Sequence, residues 1–346
     1  MAEITGRDRI RACMKRSYAD RIPIGVILGS FKAKMLGYSL KDYWTDGKKL
    51  AEATVACYEI FKHDSVDVSW DIVMEAETVG AELEFPDDSG PQVKRYILSQ
   101  KSALGSLKLP QPESSGRFPL YINACYAVAS SLKGPALSGT VTGPWTIATE
   151  LRGAQELIYD TVDDPAFVDE LMRFTTEVTK TLGSKVIETG VGLTMGEAAS
   201  SCSLISPAVY RRFIKPHHQE IIQFFREKKA GLSMHICGYI DPIMEEIASL
   251  KIVALSLDSP SSLKKMVEIS QKKIALVGNV ATSLFVSGAK EEIEEVVKEC
   301  IQVAAPGGGY IISSGCELPY NATLDRVQYY LQAAKEHGKT ERIMAG

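Results

Sequence analysis

The stretch "LSMHICGYIDPIMEEIASLKIVALSLDSPSSLKKMVEISQKKIALVGNV", residues 232–280, contains three apolar, β-branched runs that begin about twenty residues apart. The runs are LSMHICG (232–238), IVALSLD (252–258) and IALVGNV (274–280). A short amphipathic segment of helical period separates each run from the next. This spacing is typical of βα units, because parallel strands need a crossover of a dozen or more residues, which is usually a helix.

Similar runs occur along the rest of the chain, and they extend the pattern to eight predicted strands. The five additional runs are IPIGVILG (22–29), SVDVSW (65–70), ALSGTVTG (136–143), VGLTMGEA (191–198) and GYIISSGC (309–316). Eight strands that alternate with helices predict an α/β protein with a single (β/α)8 TIM barrel. Residues 79–135 do not follow the repeat, since they combine hairpin-like alternation with a Pro-rich connection. We expect them to form an insertion after strand 2 that packs over one rim, within a single domain spanning residues 1–346.

The composition excludes several classes of function. The chain has 346 residues, 45% of them hydrophobic, and a formal net charge of −4. Lys and Arg are dispersed along the chain, which argues against nucleic-acid binding. The sequence has no apolar leader at its N-terminus and no run of about 20 apolar residues, so we expect no membrane span and a cytoplasmic location. The seven Cys are irregularly spaced, which favours a reducing compartment over a disulfide framework.

Polar side chains at the ends of the predicted strands indicate a metal site. Barrel enzymes place their chemistry at the mouth formed by the carboxyl ends of the strands. His235 and Cys237 are two residues apart on strand 5 and therefore point to the same side, and Cys316 ends strand 8. Two thiolates and one imidazole favour Zn²⁺, and three protein ligands leave a fourth position open for substrate, as in catalytic sites. Packing of buried thiols is the alternative interpretation of the two cysteines.

Other strand-end residues are candidates for catalysis or substrate binding. Asp258 and Glu197 are expected to act as a fourth zinc ligand or as a proton acceptor, with Asp258 preferred because its strand neighbours the ligand-bearing strand 5. His217 and His218 are expected to be structural, and the Gly run 305–311 is expected to form a tight turn that enters strand 8. The predicted substrate-contacting residues are Asn279, Trp70, Asp71 and Tyr320.

Together these motifs resemble those of the uroporphyrinogen decarboxylase superfamily, and in particular its zinc-dependent methyltransferases of corrinoid systems. The resemblance is carried by TGPWTIATELRG (142–153), LISPAVYRRFIKPHHQEI (204–221), HICGYIDPIMEEI (235–247), LVGNV (276–280) and SGCELP (314–319). It implies a TIM barrel with zinc held by His235, Cys237 and Cys316. The chain departs from the decarboxylases at LGSFKAK (28–34), which lacks the arginines that would bind substrate carboxylates.

The resemblance implies methyl transfer between a zinc-activated substrate and the cobalt of a corrinoid (cobalamin). The chain lacks an Asp-x-His-x-x-Gly stretch, so we expect the corrinoid to arrive on a separate protein that docks transiently at the barrel mouth. Our first prediction is demethylation of phenyl methyl ethers, as in an O-demethylase component. The alternatives are methylation of a thiol of the coenzyme M type, then uroporphyrinogen decarboxylation. No Arg ends a predicted strand to bind a sulfonate, and Arg152 lies on the following helix.

A non-catalytic zinc-binding or corrinoid-handling module is a third kind of function. It predicts that metal removal unfolds the chain, as happens with structural zinc. A barrel with a large core of its own should fold without zinc, which disfavours this interpretation.

Overall fold

A parallel β-sheet is the central element of the computed structural model, which describes residues 3–271 and 273–345. In these residues, seven parallel strands hydrogen-bond in the order β1-β4-β5-β6-β7-β8-β9, and β2 pairs with β3 in a separate antiparallel hairpin. The result is a TIM-like α/β fold. The strands are β1 (Ser65–Val68), β2 (Leu83–Glu84), β3 (Gln92–Val93), β4 (Ala136–Thr142), β5 (Gly192–Glu197), β6 (Leu232–Ile236), β7 (Ala254–Leu257), β8 (Ala275–Val280) and β9 (Tyr310–Ser314).

Helices connect the strands and surround the sheet. The first turn of α9 (Pro165–Glu188) is capped by Asp164, whose side chain accepts a hydrogen bond from the Phe167 amide. The α-helices are α1 (Gly6–Met14), α2 (Phe31–Leu36), α3 (Leu40–Thr45), α4 (Gly47–Phe61), α5 (Met74–Thr78), α6 (Phe118–Ser131), α7 (Pro144–Arg152), α8 (Ala154–Asp163), α9 (Pro165–Glu188), α10 (Pro207–Val209), α11 (Lys215–Glu227), α12 (Met244–Ala248), α13 (Leu263–Ser270), α14 (Leu284–Ser287), α15 (Lys290–Ala304), α16 (Leu324–His337) and α17 (Thr340–Ala345). Two 3₁₀ turns, Lys101–Ser106 and Asp241–Ile243, and a π turn, Tyr210–Ile214, complete the helical segments. No helix in the described part of the chain is long and apolar enough to cross a bilayer.

The segment 79–135 contains both irregular and helical structure. Its first part holds the β2–β3 hairpin, with Leu83 opposite Val93. Its last part is α6, which packs on α4 and β1 and leads into β4. The helix that joins β1 to β4 is therefore part of this segment, so the residues that depart from the βα repeat end before Phe118.

The first predicted strand, residues 22–29, is not a regular strand, which corrects the expected count of eight. Its backbone nevertheless bridges the two edge strands of the sheet. The Gly25 amide donates to the Ile312 carbonyl on the β9 side at 2.8 Å, and the Asp64 amide donates to the Ile24 carbonyl on the β1 side at 2.7 Å. A full ladder does not form because Pro23 has no N–H, while the Ile24 amide donates to the Asp64 side chain.

Alternate residues of the strands face two different environments. Outward positions such as Val68, Val141 and Met195 are buried in the hydrophobic core, which lies between sheet and helices. Most of the inward positions carry small or polar side chains, which line a cavity inside the sheet: Ser65, Asp67, Ser138, Thr140, Thr194, Ser233, Ser256 and Ser313. TIM-barrel interiors are usually filled by bulky branched side chains, so this interior is unusually open.

Candidate active site

The three predicted metal ligands meet at the carboxyl ends of β6 and β9. His235 lies on β6, Cys237 follows two residues later, and Cys316 follows β9. The Cys237 Sγ lies 3.3 Å from the His235 Nε2 and 3.8 Å from the Cys316 Sγ, and the Cys316 Sγ lies 3.6 Å from the His235 Nε2. Gly315 lets the backbone after β9 pass close to the backbone of Ser259, because a Cβ at residue 315 would lie 2.7 Å from the Ser259 nitrogen.

The spacing of these atoms fits a tetrahedral zinc ion. Zinc bonds of about 2.3 Å to sulfur and about 2.1 Å to nitrogen, at tetrahedral angles, place two sulfurs about 3.8 Å apart and a sulfur and a nitrogen about 3.6 Å apart. The observed separations are 3.8, 3.6 and 3.3 Å. Since the set supplies three ligands, a fourth position would stay open to a substrate.

Ser256 on β7 orients the imidazole of His235. Its hydroxyl lies 3.0 Å from the Nδ1 of His235, which leaves Nε2 directed at the two sulfurs. Hydrogen bonds from Cys237 and His235, together with the His235 charge, outweigh burial and lower the pKa of the Cys316 thiol. Burial lowers the pKa of His235, but the hydrogen bond and charge of Cys316 outweigh it and raise that pKa overall.

A cavity of about 400 Å³ extends from this cluster down the inside of the sheet to Ile10 and Met14 of α1. Trp70, Asp71 and Glu197, three of the other predicted site residues, line it together with the triad. Trp70 is buried, and its indole N–H donates to the Tyr43 carbonyl. Asp71 is paired with Arg117, whose Nη1 lies 2.8 Å from the Asp71 carboxylate.

Glu197 is fully buried and strongly hydrogen-bonded. Its carboxylate accepts from the Trp145 and Thr146 amides at the start of α7 and from the Thr146 hydroxyl. The Nε2 of His218 lies 3.0 Å away, and the Nδ1 of that ring lies 3.2 Å from the Tyr210 hydroxyl. His218 is thus a satisfied structural histidine, as expected, and the catalytic role of Glu197 stays a prediction.

Asp258, Asn279 and Tyr320 lie near the mouth, but they are outside the lining of the cavity as described. Asp258 accepts hydrogen bonds from the amides of Gly238 and Ser259 at 2.8 and 2.7 Å. Asn279 donates to the carbonyls of Asp258 and Ser261, and Tyr320 is exposed. These partners hold the loops that follow β6 and β7, and the predicted catalytic and substrate-binding roles remain untested.

Three carboxyl groups that line the cavity were not predicted: Asp67, Glu75 and Glu317. Burial raises the pKa of Glu75 and of Glu317 to about 7 in each case, against hydrogen bonds from Thr142 and from the Ser30 amide respectively. The alternation Ser65-x-Asp67-x-Ser69 was a usable signal for Asp67, because residues two apart on a strand share a face. Nothing in the local pattern distinguishes Glu75 from an ordinary helix residue.

Comparison with known families identifies the chain. The family model described as uroporphyrinogen decarboxylase (URO-D) matches residues 5–337. The chain belongs to this family. The predicted resemblance is therefore confirmed, and the metal cluster lies within the matched region.

Named relatives include both methyltransferases and decarboxylases. A methylcobamide:CoM methyltransferase of Methanosarcina acetivorans is 21% identical over 345 residues, which cover 97% of this chain and 99% of the relative. A methylated-thiol–coenzyme M methyltransferase of Methanosarcina mazei is 24% identical and covers 84% of this chain and 77% of the relative. A uroporphyrinogen decarboxylase of Thermodesulfovibrio yellowstonii is 24% identical over 80% of this chain and 81% of the relative.

The solved structure of a methyltransferase from Methanosarcina mazei shares the fold. It superimposes with a TM-score of 0.87 at 21% identity, over 96% of this chain and 99% of that one. This likeness supports the TIM-like architecture along the whole chain.

Proposed function

We propose that the protein is a zinc-dependent methyltransferase that moves a methyl group between a thiol and the cobalt of a corrinoid carried by a separate protein. The observation that carries this proposal is the triad of His235, Cys237 and Cys316, whose ligand atoms all lie within 4.8 Å of one another. The full-length similarity to methylcobamide:CoM methyltransferases supports the choice of methyl transfer. A thiol therefore replaces phenyl methyl ethers as the preferred class of substrate.

The triad would hold Zn²⁺ through the Nε2 of His235 and the two Sγ atoms. When bound, the ion would lower the pKa of a coordinated substrate thiol and so supply a nucleophilic thiolate. Ser256 keeps the imidazole in the orientation that presents Nε2. The cavity below the triad would receive the remainder of the thiol, and the mouth would meet the corrinoid protein.

Two other activities fit the chain less well. Decarboxylation of uroporphyrinogen would need cationic partners for several carboxylates, yet Arg117 is already paired with Asp71 and Glu77. For phenyl methyl ether demethylation, only one of the two aromatic residues expected to contact the ring, Trp70, lines the cavity. The aromatic group of Tyr320, which was also expected to contact such a ring, is exposed and outside the lining.

We further propose that residues 22–28 close the sheet into a (β/α)8-type barrel and that the whole chain, 1–346, acts as one domain. The hydrogen bonds of this segment to both edge strands support the closure. The rim formed by residues 79–117 is the surface that we propose for transient docking of the corrinoid protein.

The experiment measures zinc content and methyl transfer from methylcobalamin to thiols. We compare the wild-type protein with Cys316→Ala and, as a matched control, with Cys202→Ala, a half-buried cysteine outside the triad. We expect one zinc per chain in the wild type and the control, with zinc and transfer lost in Cys316→Ala while circular dichroism is unchanged. Transfer that persists in Cys316→Ala would contradict the proposal. Decarboxylation of uroporphyrinogen by metal-free protein would support the alternative activity.

A further inference from the structure

The cavity below the triad has a strongly one-sided set of ionisable groups. Five carboxyl-bearing residues line it, and none of the described residues in its lining is Lys or Arg. Those five are Asp67, Asp71, Glu75, Glu197 and Glu317.

Two of the five carboxylates have partners that bind them from outside the cavity. Asp71 is paired with Arg117, and Glu197 lies against His218 and the amides that start α7. These two groups are therefore satisfied within the protein.

Among the described residues, the other three carboxyl groups accept hydrogen bonds from neutral groups only. Asp67 accepts from the Ser69 hydroxyl, Glu75 accepts from the amide and hydroxyl of Thr142, and Glu317 accepts from the Ser30 amide. Each oxygen of a carboxylate can accept more than one hydrogen bond, so all three groups retain capacity toward a ligand in the cavity.

Lys32 is a basic residue near these groups, but it does not line the cavity. Its side chain is buried, its Nζ donates to the backbone carbonyl of Asp67 at 3.3 Å, and it is outside the cavity lining. It offsets part of the negative charge from behind the wall. An anionic head group in the part of the cavity away from the triad would therefore meet carboxylates and no Lys or Arg of the described lining.

We propose that the thiol substrate carries a cationic head group, such as an ammonium, and not the anionic sulfonate of coenzyme M. This inference rests on the proposed function. An ammonium would donate charge-assisted hydrogen bonds to Asp67, Glu75 and Glu317, whereas a sulfonate would face like charges in a partly desolvated site. Burial that raises the pKa of Glu75 is consistent with a site that lacks its positive partner until substrate binds.

The test compares three thiols that differ mainly in the head group: 2-aminoethanethiol, 2-mercaptoethanol and 2-mercaptoethanesulfonate. Binding is read from thiolate-to-cobalt charge-transfer absorption in the Co²⁺-substituted protein, and transfer is read separately from loss of methylcobalamin. We expect the aminothiol to bind at least about tenfold more tightly than the sulfonate, with the neutral thiol between them. The same order is expected for kcat/KM.

Variants separate the head-group effect from differences in thiol acidity. Asp67→Asn and Glu317→Gln are each expected to reduce the ratio of aminothiol to sulfonate affinity at least about threefold. They should change the affinity for 2-mercaptoethanol less than the affinity for the aminothiol. The control is Asp163→Asn, since Asp163 is an exposed residue of α8 that does not line the cavity. Circular dichroism of each variant reports whether it folds. If one of the two cavity variants does not fold, the other alone is enough to test the inference.

The outcomes distinguish this inference from the proposed function. Preference for the aminothiol that falls in the cavity variants supports the inference. Preference for the sulfonate, with clear thiol coordination and methyl transfer, overturns the inference and retains the proposed function. Absence of thiol coordination and of transfer with all three probes overturns both.

Discussion

Replacing Glu75 by Gln should stabilise the protein at neutral and alkaline pH. Burial raises the pKa of Glu75 from its ordinary value of 4.5 to about 7. The folded state therefore binds a proton that the unfolded chain releases between these values, and stability falls as the pH rises through that window. A difference of about 2.5 pKa units corresponds to about 3 kcal/mol, which the ionised side chain costs the folded state above pH 7.

The amide can adopt the same hydrogen bonds as the carboxylic acid. The Thr142 amide can still donate to the Gln Oε1, since it donates to the Glu75 Oε1 at 2.8 Å. The Thr142 hydroxyl can accept from the new Nε2 and turn its own proton toward the Ile72 carbonyl, 3.4 Å away. We therefore expect Glu75→Gln to match the wild type near pH 4.5 and to be about 2–3 kcal/mol more stable at pH 8.

The measurement is urea denaturation followed by circular dichroism at several pH values from 4.5 to 8. Glu82→Gln serves as the control, because Glu82 is exposed in the same part of the chain and should leave the free energy of unfolding within about 0.5 kcal/mol at every pH. A stability difference between Glu75→Gln and wild type that does not change with pH would refute the reasoning.

Three further predictions concern other parts of the structure. Burial lowers the pKa of His63 from 6.5 to about 4, so the free energy of unfolding should fall by about 3 kcal/mol as the pH drops through that window. His63→Leu should reduce this loss of stability at acid pH, as measured by urea denaturation at several pH values. An unchanged pH dependence in the variant would contradict the assignment. Ser256→Ala should weaken zinc affinity about tenfold or more in a chelator competition, because the His235 Nδ1 loses its partner; equal affinity would show that the hydroxyl does not orient the ring. Gly29→Ala should lower the thermal midpoint, because φ is +46° and the new Cβ would overlap Glu317, while an unchanged midpoint would mean that the Glu317 side chain moves aside at no cost.

Hydrophobic periodicity predicted most of the sheet. The last seven of the eight predicted runs correspond to the seven parallel strands, because their outward positions carry the apolar side chains that pack against the helices. The remaining run, 22–29, has the same apolar character, but Pro23 and the acceptor side chains of Asp64 and Ser314 replace much of its ladder. Such replacement depends on side chains distant in sequence, which a local pattern does not contain.

The metal ligands were predictable because their positions follow from strand geometry. Residues 235 and 237 share a face by the two-residue period, and the carboxyl ends of β6 and β9 meet at one mouth. The direction of a loop side chain was not predictable in the same way. The carboxylate of Asp258 accepts from the amides of Gly238 and Ser259, which its strand position does not indicate, and its catalytic role stays a prediction. Glu317 lines the cavity from an irregular segment after β9, where neither the strand nor the helix period predicts the direction of a side chain.

Because the inward-facing residues of the strands are mostly small, stability and ligand binding depend on opposite faces of the sheet. The packing that holds the fold together lies outside the sheet, where Val68, Val141 and Met195 meet the helices. Inside, Ser138 and Ser233 border empty space and support little of that packing. A larger side chain at either position would reshape the ligand space without opening a gap in the core. The interior is thus a surface on which substrate preference can be redesigned, or can drift during evolution, at little risk to folding.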